Sequence, residues 1–137
     1  MLEYSSRRII FDPVEETLIY VDKDKIEQVI NNFISNALKY SSADTTVQIA
    51  CITKGEYAFV SVKDEGMGIR LQDQGKLFER FFRVKSQETK SIAGFGIGLY
   101  ICKEIIERHH GEIGVESALQ KGSTFWFSLP VFSKHLT

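Results

Sequence analysis

The chain has 137 residues, of which 43% are hydrophobic and 26% charged, with a formal net charge of -1. That is enough for one domain with its own core, and the charge balance gives no ground for expecting nucleic acid or an anionic membrane as partner. No apolar run approaches the ~18 residues of a membrane span, the opening MLEYSSRRII lacks the apolar centre of a signal peptide, and Cys51 and Cys102 stand far apart, as two reduced thiols.

In chain order, RRIIFD and TLIYVD are short β-type runs around PVEE, where Pro13 marks a turn. Asp22 or Asp24 can cap the helix that follows, from about Lys25 to Tyr40. TTVQIACIT and YAFVSVKD alternate as strands, joined through KGE as a hairpin. DEGMGI is a glycine-bearing turn directly after the second of these. LQDQGKLFERFF predicts a short helix interrupted by Gly75, and RVKSQETKSIAGFG a polar, mobile loop. A second long helix is expected from about Ile97 to His109, with Gly111 as its C-cap. His109 falls on its apolar face and is expected as a packed or end-of-helix histidine, with His110 exposed. EIGVESA and STFWFSLPV then give a last pair of strands around LQKGS, with Trp126 and Phe127 expected in the core. Strands and helices intermixed, with antiparallel hairpins, predict an α+β two-layer sandwich: one sheet, with helices on one face.

The stretch NNFISNALKYS places three asparagines in a helix interior, where a buried amide costs free energy unless it is paired. At about 100° per residue, Ile26, Val29, Ile30, Phe33 and Ala37 share the face that should meet the sheet. Asn32, Asn36 and Lys39 fall on a neighbouring stripe, within about 60° of one another, while Asn31 and Ser35 point towards solvent. An amide carbonyl is a neutral, hard oxygen ligand that suits Mg²⁺, and an ammonium beside it suits phosphate. On the helix alone, a solvated polar edge without a role is the simpler account.

Two glycine-rich segments change the balance. In DEGMGI, Gly66 and Gly68 follow Asp64, an acceptor-only group when ionised and so a partner for an exocyclic amine such as adenine N6. A plain turn with a solvated Asp is the competing reading. In GFGIGL, Gly94, Gly96 and Gly98 precede a helix, whose free N–H groups and dipole suit an anion. It is neither a Walker A loop, since no Lys-Ser/Thr follows, nor a dinucleotide fingerprint, since no strand precedes it. FERFFR supplies Phe78, Phe81 and Phe82 as core or lid anchors, and Arg83 at the start of the polar loop, either a surface residue or one that swings onto a phosphate.

These segments occur together and in an order that resembles the catalytic and ATP-binding domain of bacterial sensor histidine kinases, within the gyrase, heat-shock chaperone, histidine kinase and MutL superfamily. NNFISNALKYS resembles the N box, DEGMGI the G1 box, FERFFR the F box and GFGIGL the G2 box, and KGSTFWFSLP is similar to the closing strand. The likeness covers nearly the whole chain from about Asp22. It implies the Bergerat-type fold, a mixed, mostly antiparallel sheet under about three helices, as a single domain over 1–137. It implies ATP and Mg²⁺ as cofactors. Asp64, Gly66, Gly68 and Ile69 would hold the base, with Thr124 on the last strand near Asp64. Asn36 would be the metal ligand, with Asn32, Lys39 and Tyr40 beside phosphate and nucleotide. The segment from about Arg70 to Gly94 would form a lid carrying Phe82 and Arg83. Gly94, Phe95, Gly96, Ile97, Gly98 and Leu99 would wrap the phosphates.

The resemblance also separates transfer from hydrolysis. The ATP-hydrolysing relatives carry Glu at the position of Asn32, and a carboxylate can take a proton from water where an amide cannot. Transfer to a protein histidine is therefore expected, with Asn32, Lys39 and Arg83 as the catalytic set. None of His109, His110 and His135 lies in the H-E-x-x-N/T motif that carries the family's acceptor. A separate histidine-bearing dimerisation domain is the expected partner, with a response regulator served indirectly, no nucleic acid and no direct membrane contact. The expected state is a monomer and the expected location cytoplasmic, whether or not the parent kinase is membrane-anchored. The alternatives are a nucleotide-binding sensor without kinase output and a serine kinase of the anti-sigma type, which the F box and long lid disfavour.

Overall fold

The structure, a computed structural model, describes residues 9–12, 17–79 and 98–132. Within them lie β1 (Ile9–Phe11), α1 (Lys23–Lys39), β2 (Val47–Lys54), β3 (Tyr57–Asp64), α2 (Leu71–Gln74), α3 (Gly98–Arg108), β4 (Glu112–Ser117) and β5 (Ser123–Pro130). The strands form one sheet in the order β1-β2-β3-β5-β4. β1 runs parallel to β2, and the other three pairings are antiparallel. This is the mixed, mostly antiparallel sheet expected, with the helices packed on one face.

α1 begins where Asp22 caps it, its carboxylate accepting from the Lys25 N–H at 3.2 Å. Its buried residues are Ile26, Val29, Phe33, Ile34, Asn36 and Ala37. Phe33 is fully buried, with its ring centroid 5.4 Å from that of Phe125 and 6.1 Å from that of Phe127. The alternation of β5 sends Ser123, Phe125, Phe127 and Leu129 to the helix side. Trp126 lies on the other face, tilted against Phe59 at 6.0 Å and packed on Gly114, so it is not in the core with Phe127 as expected. The parity of the strand decides this: neighbours in a strand cannot share a face.

The run TLIYVD is not a strand. Only Ile19 pairs, in a single antiparallel bridge with Val131, while Leu18 and Tyr20 are exposed. The chain leaves the sheet here to begin α1 at Lys23, which leaves no length for a ladder.

The two long helices lie side by side and antiparallel. The Asp22 N–H, at the start of α1, donates to His109 Nε2 at 3.1 Å, and His109 Nδ1 lies 2.8 Å from the Ile105 carbonyl. An Nε2 that accepts and an Nδ1 that donates fix the neutral, Nδ1-protonated tautomer. His109 is thus the end-of-helix histidine expected. The helix end itself differs from expectation. The His110 N–H bonds to the Glu107 carbonyl and the Gly111 N–H to the Ile106 carbonyl, which is the Schellman pattern. The left-handed position is His110, with φ of 65°, and not Gly111. Gly111 is required for a different reason, because a side chain there would run into the Ser128 carbonyl.

A non-glycine residue in the left-handed region carries a conformational cost that glycine does not. His110→Gly is therefore expected to stabilise the domain by about 0.5–1 kcal/mol, read as a higher urea midpoint at unchanged slope. His110→Ala, which keeps the Cβ, is expected to give no gain.

Candidate functional site

Three segments meet at the C-terminal half of α1. The first is the helix itself. Asn36 is buried at 8% exposure and its Nδ2 donates to Asn32 Oδ1 at 3.3 Å. That one bond sorts the two amides. Asn36 is left with its carbonyl oxygen as an acceptor, and Asn32 with its NH₂ as a donor. Lys39, in the last turn, is exposed, and Tyr40 caps the helix with its N–H on the Asn36 carbonyl at 3.0 Å. Asn31 is exposed, as the projection predicts.

The second segment is the start of α3. Gly98 stands against Asn32: a methyl group on Gly98 would come within 2.6 Å of Asn32 Nδ2. The donor end of Asn32 therefore faces the N-terminus of a helix, where anions are favoured. Leu99, next in line, is fully buried and belongs to the core, so any contribution it makes to a ligand is through its backbone.

The third is the turn after β3. Asp64 is 5% exposed, and its Oδ1 accepts from the Gly66 N–H at 2.8 Å and the Ser123 N–H at 3.2 Å. Burial raises the pKa of this carboxyl, and the two N–H donors pull it partly back. Oδ2 takes no part in those two bonds. Gly68 has φ of 75°, and a side chain there would strike the Ala118 carbonyl, so the turn requires glycine twice over. Glu65 accepts from the Thr46 N–H and hydroxyl, both at 2.9 Å, which ties the turn to the start of β2. An open cavity of about 430 Å³ lies between this turn and the end of α1, with Lys39, Tyr40, Gly66 and Met67 in its lining.

Ile69 is a buried wall residue at 6% exposure, and both its backbone groups are engaged: its N–H bonds to Ser117 Oγ at 2.8 Å and its carbonyl accepts from Gln74 at 2.8 Å. Thr124 needs correction. The register pairs Asp64 with Ser123 and Lys63 with Thr124, so Thr124 belongs to the face away from the helices, and Ser123 is the residue beside Asp64. Ser123, Ser117 and Gln74 escaped the reading of the sequence. The alternation of Phe125, Phe127 and Leu129 pointed to Ser123, whereas Gln74 carried no local signal. Phe78 packs edge-on to Phe125 at 6.4 Å, as an F-box anchor should. Phe81, Phe82, Arg83, Gly94, Phe95, Gly96 and Ile97 lie outside the described residues, as does most of the expected lid.

Residues 21–133 match the family described as histidine kinase-, DNA gyrase B-, and HSP90-like ATPase. The chain belongs to this family. Among curated relatives of this ATPase domain, the Bacillus subtilis sensor histidine kinase WalK is 43% identical over 120 residues, covering 86% of the chain and 20% of WalK. The chain thus spans about a fifth of the length of that relative. Among solved structures, the mycobacterial sensor histidine kinase MprB aligns with a TM-score of 0.77 at 28% identity, over 91% of this chain and 85% of that one. Full-length ShkA, in complex with AMPPNP, aligns with a TM-score of 0.74 at 28% identity, over 92% of this chain and 26% of that one.

The buried Asp64 carboxylate sets a pH prediction. Its folded pKa is raised, so the stability tied to its protonation is present at acid pH and lost as pH rises through the folded value. Asp64→Asn keeps an acceptor for both N–H donors and removes the buried charge. The variant is expected to be more stable than the parent at neutral pH, with the advantage shrinking as pH falls through the Asp64 titration. Thermal melts of both proteins across that range check this.

Proposed function

We propose that this domain binds ATP with Mg²⁺ and serves as the catalytic domain of a sensor histidine kinase, passing the γ-phosphoryl group to a histidine on a separate dimerisation domain. The observation that carries the reading is the amide pair. Asn32 stands beside the start of α3 with its oxygen already occupied by Asn36 and its NH₂ against Gly98. An amide in that state can hold a phosphate oxygen and cannot take a proton from water. The sensor histidine kinases among the relatives and the AMPPNP carried by ShkA support the same reading.

In this mechanism the free oxygen of Asp64 receives the 6-amino group of adenine. Asn36 Oδ1 would hold Mg²⁺ as a neutral oxygen ligand. When bound, the ion neutralises charge on the phosphates. Lys39 meets phosphate charge from the end of α1, and Arg83 is assigned the γ-phosphate. The acceptor histidine supplies its own nucleophile: a nitrogen–phosphorus bond forms, the bond to the β,γ-bridging oxygen breaks, and ADP leaves. A cytoplasmic location, a monomeric isolated domain and a response regulator downstream belong to the same proposal. Among the described residues no helix is long and apolar enough to cross a membrane.

Mixing the domain with the histidine-bearing domain of its own parent gene and labelled ATP tests the reading. Acid-labile, base-stable label on histidine is the expected result, and ATP binding without transfer would favour a nucleotide sensor instead. Asn36→Ala is expected to cut the Mg²⁺-dependent gain in nucleotide affinity by roughly tenfold or more, by calorimetry with and without the ion. A gain that survives removes Asn36 as the ligand.

A further inference from the structure

Asp64 does not stand alone at the end of the sheet. Its partner in the register, Ser123, is 6% exposed, and the Ser123 hydroxyl lies 2.8 Å from that of Ser117. Which of the two donates follows from the other contacts of Ser117. A serine hydroxyl has one proton and two lone pairs. Ser117 Oγ lies 2.9 Å from the Gly122 carbonyl, which can only accept, so the Ser117 proton is committed there. One of its lone pairs receives the Ile69 N–H at 2.8 Å. Nothing is left to offer Ser123 except the second lone pair. Ser123 must therefore donate, and its proton points at Ser117. Gln74 holds this node in place from below, its Nε2 donating to the Ser117 carbonyl at 2.9 Å and to the Ile69 carbonyl at 2.8 Å.

The consequence concerns what the end of the sheet offers a ligand. Asp64 Oδ1 is occupied by two backbone N–H groups, so Oδ2 remains, with lone pairs only when the carboxyl is ionised. Ser123 Oγ, its proton spent, also offers only lone pairs. Two neighbouring acceptors suit an amine, which brings two protons, and repel a carbonyl oxygen.

We propose that Ser117 is a specificity-determining positioning residue: by fixing the direction of the Ser123 hydroxyl, it makes the base pocket select a 6-amino purine nucleotide over a 6-oxo one. Ser117 acts through Ser123 and does not touch the nucleotide. The inference rests on the adenine-nucleotide reading above.

The test is the ratio of dissociation constants for ITP and ATP, by calorimetry on the domain. In the parent protein ATP binds more tightly. In Ser117→Ala the Ser123 hydroxyl loses its acceptor and is free to turn and donate to a 6-oxo group. The ratio is expected to fall roughly three- to tenfold, the worth of one hydrogen bond, while Ser117→Thr, which keeps the hydroxyl, retains the parent ratio. Ser123→Ala is expected to lower the ratio as well, and adding Ser117→Ala to it should change the ratio no further. A Ser117→Ala protein that loses affinity for both nucleotides equally has shown a purely structural role and overturns the proposal. Should Ser117→Ala fail to fold, an unchanged ratio in Ser123→Ala overturns it. A parent protein that binds ATP and ITP alike refutes this inference alone, whereas one that binds neither refutes the nucleotide reading with it.

Discussion

Phe33 sets the roll of α1 about its own axis, and the polar groups of the site take their places from that. The ring is fully buried between Phe125 and Phe127 of β5, and a side chain of that size held by two others leaves the helix one way to sit. With Phe33 directed at the sheet, Asn32 and Asn36 fall at the edge of the core, near enough to pair with each other and to face the start of α3. The same contact reaches the other half of the site. Phe125 is two residues from Ser123, so the strand that receives Phe33 also delivers the backbone N–H that holds Asp64.

Hydrogen bonds then give each polar group a direction. The bond from Asn36 to Asn32 engages one N–H of Asn36 and the oxygen of Asn32, leaving an oxygen where a cation is expected and a donor where phosphate is expected. The bonds around Ser117 do likewise at the end of the sheet, spending protons so that acceptors remain. In both places the fold uses neutral groups with fixed orientation. Such groups can be buried at lower desolvation cost than charges, and they keep their polarity when the ligand arrives. Asp64 is the exception, a buried carboxyl whose charge is opposed by its surroundings and steadied by two N–H donors.

Much of this was legible in the sequence because it rests on short periodicities. Helical projection separated Asn32, Asn36 and Lys39 from Asn31, and strand alternation and glycine turns located β2, β3 and the DEGMGI turn. What escaped depends on register or on contacts between distant segments. The pairing of β3 with β5 decides that Ser123, and not Thr124, adjoins Asp64, and no local pattern states a register. His110 takes the left-handed position that a glycine one residue later seemed to claim, because Gly111 is needed against Ser128. Gln74 reads as an ordinary residue of a short polar helix until Ile69 and Ser117 are brought to its side chain.

Trp126 is the chain's single tryptophan. It stands on the sheet face opposite the helices, half-buried against Phe59 and Gly114, three positions along β5 from Ser123. Its fluorescence is thus a built-in gauge of whether the β3–β5–β4 ladder is intact, read from the sheet face opposite the helices. An indole on that face is out of contact range of any group bound on the helix side of the sheet. A change in its emission would report a rearrangement of the sheet around β5, where Phe59 and Gly114 form its surroundings.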